Sequence, residues 1–116
     1  MKLPHLDPLI FAKEILALEE NSSKILCEFE YKPSLAMFIE ASAQSSAAFF
    51  QEGGYRLGYL VNAKNIQWIN KSEDTKFIIA LQLEVTFESM RNYSFIVTNI
   101  TEDIAVCSGE FTISIQ

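Results

Sequence analysis

Across residues 76–88 apolar and polar side chains alternate, with Phe77, Ile79, Leu81, Leu83, Val85 and Phe87 on every second position. A period of two predicts a strand with one buried face. The same pattern recurs in KILCEFEY (24–31), where Ile25, Cys27 and Phe29 oppose Glu28 and Glu30. In 104–115 it aligns Ala105, Cys107, Phe111, Ile113 and Ile115. Further strands are predicted over 57–68 and 92–100, separated by polar turns at 70–74, 89–92 and 101–103. FAKEILAL (11–18) fits helix or strand by period alone, and the turn cluster 19–23 favours a hairpin with the strand that follows. LPHLDPLI (3–10), with Pro4 and Pro8, reads as a turn or short helical entry.

Residues 33–50, PSLAMFIEASAQSSAAFF, break the alternation. Pro33-Ser34 opens a helix that ends near Gln51, with Gly53-Gly54 as its stop. It is apolar nearly all round, which predicts burial. Glu40 is the only charged residue in this stretch. A lone carboxylate there is costly unless it is paired or hydrogen-bonded. Gln44 lies one turn further on the same face, positioned to orient it. Glu40 is therefore either a satisfied core acid or a catalytic one. The backbone amides of Ser34, Leu35 and Ala36 begin the helix, where free N–H groups favour developing negative charge, as at every helix start.

The predicted order is a hairpin, one buried helix, then a long antiparallel meander. One apolar sheet face needs a cover, and the helix is the only candidate. This gives an α+β fold, a long antiparallel sheet wrapped around one central helix, as a single domain over 1–116. One helix covers only part of such a sheet, so a second protomer is expected to complete the core.

Composition narrows the function classes. The net charge of −6 and nine scattered basic residues argue against nucleic acid or an anionic membrane as partner. No apolar run reaches transmembrane length and MKLPHLDPLIF lacks the features of a signal peptide, so a cytoplasmic protein is expected. Cys27 and Cys107 then read as reduced thiols, and neither has a nearby His to activate it. The Asn-x-Ser/Thr matches at Asn21, Asn70, Asn92 and Asn99 mean little without secretion. One His and two distant Cys make no metal-ligand set, and no cofactor is expected.

Three segments, in order along the chain, carry a family resemblance. LPHLDPLIFAKEIL resembles the N-terminal segment of β-hydroxyacyl-ACP dehydratases of the FabZ kind, where Leu-Pro-His precedes a proline and an apolar strand. FIEASAQSSAAF resembles that family's central helix, with its Glu-Ala-x-Ala-Gln core. GYLVNAKNIQW resembles the next strand, which in short dehydratase-like relatives from aryl-polyene-type lipid clusters begins Gly-aromatic-Leu and has a basic residue six positions on. Here these are Gly58, Tyr59, Leu60 and Lys64.

The resemblance implies a hotdog fold, an acyl-ACP or acyl-CoA thioester ligand, and a homodimer able to pair into larger assemblies. It also implies an acyl tunnel beside the helix. By position Glu40 matches the general acid, Gln44 the glutamine one turn later, and His5 the N-terminal histidine. Ser34, Leu35 and Ala36 would face the thioester carbonyl, and Gly58, Tyr59 and Lys64 would line the ligand from the strand. Lys64 and Arg56 read as solvated charges, with contact to a phosphopantetheine phosphate as the alternative.

The chain departs from the family just before the helix. CEFEYKPS has neither the His nor the Gly of the usual Gly-His-Phe-Pro-Gly segment and is several residues shorter. Dehydration needs a base for the α proton and an acid for the departing hydroxide. With the loop histidine absent, Glu40 keeps one role, and only His5 or a water is left for the other. Three functions follow: a dehydratase-like enzyme, a hotdog thioesterase working through Glu40, or a non-catalytic pseudo-dehydratase subunit that binds acyl thioesters.

Overall fold

A computed structural model describes residues 12–46 and 58–115. The entry turn over 3–10, His5, Arg56, the helix end near Gln51 and the Gly53-Gly54 stop lie outside the described residues. The elements are β1 (Ala12–Leu18), β2 (Ser22–Glu28), α1 (Leu35–Ser45), β3 (Gly58–Trp68), β4 (Lys76–Phe87), β5 (Met90–Asn99) and β6 (Ile104–Ile115). They form one six-stranded sheet in the order β1-β2-β4-β5-β6-β3, with every neighbouring pair antiparallel. The hairpin and the meander are local pairings, as expected from short turns. Because α1 intervenes between β2 and β3, β3 lands on the far edge beside β6, and β4 returns to pair with β2.

The helix packs on one face of this sheet. Phe38, Ala41, Ser42 and Ser45 are buried at i, i+3, i+4 and i+7, which marks the sheet-facing stripe. Phe38 is the hub. Its ring meets Phe77 at 4.9 Å, Phe29 at 5.5 Å and Trp68 at 5.9 Å, all edge-on. Around it the inward residues of β2, β4, β5 and β6, including Ile25, Ile79, Phe95, Val97 and Phe111, complete the core. The helix serines enter this apolar setting by satisfying themselves. Ser42 Oγ donates to the Phe38 carbonyl and Ser45 Oγ to that of Ala41, both at 2.8 Å.

Strand faces follow the sequence pattern until a bulge interrupts them. Phe77, Ile79 and Leu81 are buried as expected. The β4–β5 register then shifts between Leu83 and Val85, and the extra residue turns the remainder of β4 over. Val85 and Phe87 are consequently 56% and 67% exposed instead of buried. The turn is also tighter than the predicted 89–92. It falls at Glu88 and Ser89, and Glu88 takes φ 55°. Arg91 Nη1 donates to the Glu88 carbonyl at 2.9 Å, so the strained residue is held.

In β6 a shift opposite Val97 and Thr98 puts Val106 in the core beside Cys107 and leaves Ala105 only partly buried. The second strand starts at Ser22, two residues earlier than KILCEFEY suggests, because Ser22 finds a partner in Gln82. Gly109 permits a close approach. A Cβ there would run into Ile66 Cδ1 of β3 and meet the Phe95 ring at 3.0 Å.

Burial pushes both thiols, Cys27 and Cys107, up to about 12 from 9.0. An acid whose folded value is raised contributes full stability below its unfolded value and loses it as pH climbs toward the folded one. The chain is therefore expected to lose thermal stability between pH 9 and 12, and replacing both cysteines with Ala should flatten that decline. Native protein at pH 8 should also resist thiol alkylation that proceeds readily in urea, as a timed mass measurement would read.

Among the described residues no helix is long and apolar enough to cross a membrane. Nor does any cluster of three or more His, Cys, Asp or Glu among them suit a metal ion.

Candidate functional site

Glu40 and Gln44 lie off the sheet-facing stripe of α1, one turn apart on an adjoining flank. Glu40 is partly buried, whereas Gln44 is fully buried. Gln44 Nε2 donates to Glu40 Oε1 over a long 3.4 Å, so the amide leans toward the carboxylate as the spacing predicts. Glu40 turns away from the sheet, and its contact with Gln44 suits a satisfied acid as well as a catalytic one. A carboxylate on the helix flank, with a buried amide beside it, can hold or move a proton toward a ligand on that side.

The helix start is built as expected. Ser34 is the N-cap: its Oγ accepts from the Met37 amide at 3.2 Å, and its own amide donates to Met37 Sδ at 3.5 Å. The Leu35 and Ala36 amides fall in the first turn, where no intrahelical acceptor exists. Leu35 is partly buried and Ala36 exposed. Acidic residues are absent from that first turn, which leaves its positive end uncompensated.

The strand residues predicted for the ligand are not gathered at that point. Gly58 pairs with Ile115 and Tyr59 with Ser114, at one end of β3, while Trp68 at its other end meets Phe38 in the first turns of the helix. Ten residues of strand correspond to roughly 30 Å. Within one chain, Gly58 and Tyr59 therefore do not share a site with Ser34, Leu35 and Ala36. Lys64 is exposed opposite Glu110, whose Oε2 accepts from Asn65 Nδ2 at 2.7 Å. His5 and Arg56 lie outside the described residues.

Two features beside the helix escaped the sequence reading. The edge strand β3 and the residue after it leave Tyr59, Leu60, Val61, Trp68 and Ile69 each between 42% and 49% exposed. The two apolar groups stand at opposite ends of β3, with the exposed polar residues Asn62, Lys64, Asn65 and Gln67 between them. A groove of about 260 Å³ also opens at the helix start, walled by Pro33, Phe38, Trp68 and Val106 with Lys32 and Lys71 on its rim. Its walls do not include Glu40 or Gln44. The hint for it was the lone Trp68 followed closely by Lys71 at a predicted strand end.

No family model matches the sequence, and no curated protein matches it. Solved structures do match. The chain is similar to the dehydratase heterocomplex ApeI:P from Xenorhabdus doucetiae, with TM-score 0.79 and 13% identity over 98% of this chain and 88% of that one. It is similar to smu.793 from Streptococcus mutans UA159, bound to acetyl CoA, with TM-score 0.70 and 12% identity over 97% and 96%. A hypothetical thioesterase from Streptococcus pneumoniae TIGR4, solved with coenzyme A, gives TM-score 0.69 and 14% identity over 89% and 84%. At these identities the likeness is one of fold: the chain has the hotdog fold, an antiparallel sheet with one helix packed against it.

Proposed function

We propose that this chain binds an acyl thioester and that Glu40 is the proton-handling carboxylate of its site. The observation carrying this is the Glu40–Gln44 pair, set on a flank of a largely buried helix in a hotdog fold. Coenzyme A and acetyl CoA in two structures of similar fold support the ligand class. The reading is dehydratase-like. On a 3-hydroxyacyl thioester, Glu40 would give its proton to the departing hydroxyl as the β C–O bond breaks. A base would take the α proton, and a 2-enoyl thioester would result.

Hydrolysis is the second reading, and the sequence before the helix favours it. CEFEYKPS holds no histidine, so His5 is the one histidine left to act as base. Thioester hydrolysis needs only one carboxylate to activate water, and donors such as the Leu35 and Ala36 amides for the carbonyl oxygen. The outer edge of β3, with half-exposed apolar residues at both of its ends, supports a second chain docked along that edge. A homodimer is the simplest form. The ApeI:P heterocomplex suggests the other form, in which a different hotdog chain brings the missing base.

The test is native mass spectrometry with 3-hydroxyoctanoyl and octanoyl thioesters, each on coenzyme A and on acyl carrier protein. A dimer holding thioester is expected. Loss of one water from the 3-hydroxy substrate supports dehydration, and a freed carrier supports hydrolysis. A stable complex with unchanged substrate leaves a binding subunit, and absence of any complex with either carrier sinks the proposal.

A further inference from the structure

We draw no further inference here: the strongest candidate, the apolar patch on the sheet face away from the helix where the β4 bulge turns out Val85 and Phe87 beside Met90 of β5, carries none because nothing in the structure shows what covers it.

Discussion

Phe38→Ala is expected to destabilise the fold by about 3–5 kcal/mol. Phe38 is 1% exposed and is the apolar side chain through which α1 grips β3, β4 and the residue that follows β2. Its edge-on contacts reach Phe29 beyond β2, Phe77 of β4 and Trp68 of β3. Ala41, the next buried apolar position on the stripe, is too small to take over. Removing the ring leaves a cavity that the sheet cannot close, since strand pairing fixes the positions of its neighbours. Chemical denaturation would read the loss as a lower midpoint with an unchanged slope. A midpoint shift equivalent to less than about 1 kcal/mol would mean that the helix is held elsewhere.

Glu40→Gln is expected to lower turnover of an acyl thioester at least about a hundredfold while leaving the melting temperature nearly unchanged. The two halves of that expectation have separate causes. Glutamine preserves shape and keeps an oxygen to accept the Gln44 amide, so the helix loses little: the original contact is already long at 3.4 Å. What it cannot do is give or take a proton near neutral pH. A purely structural carboxylate would produce the reverse pattern, lower stability with unaltered chemistry. Glu40→Asp is a useful companion, because it keeps the acid but withdraws it by one methylene and should retain partial turnover.

The sequence makes the local features of this fold legible, because alternation and helical spacing are local properties. Ile25, Cys27 and Phe29 are buried where the period of two puts them, and Ser34 caps the helix where Pro33-Ser34 suggests. The misplaced residues are Val85, Phe87 and Ala105, and each lies past a bulge. A bulge is decided by what the neighbouring strand offers, and one extra residue exchanges the faces for the rest of the strand.

The site divides in the same way. Glu40 and Gln44 are four residues apart on one helix, so their meeting is a matter of helical geometry. The separation of Gly58 and Tyr59 from the helix start depends on β3 crossing to the far edge and on its direction there. The Trp68 groove depends on three chain segments converging, which no window of sequence contains.

The most direct test of the central claim compares wild type with Glu40→Gln in product mass spectra of 3-hydroxyoctanoyl and octanoyl thioesters under identical conditions. Wild type is expected to give a product, either the dehydrated thioester or the freed carrier, and the variant little or none. Equal product from both proteins would contradict that claim.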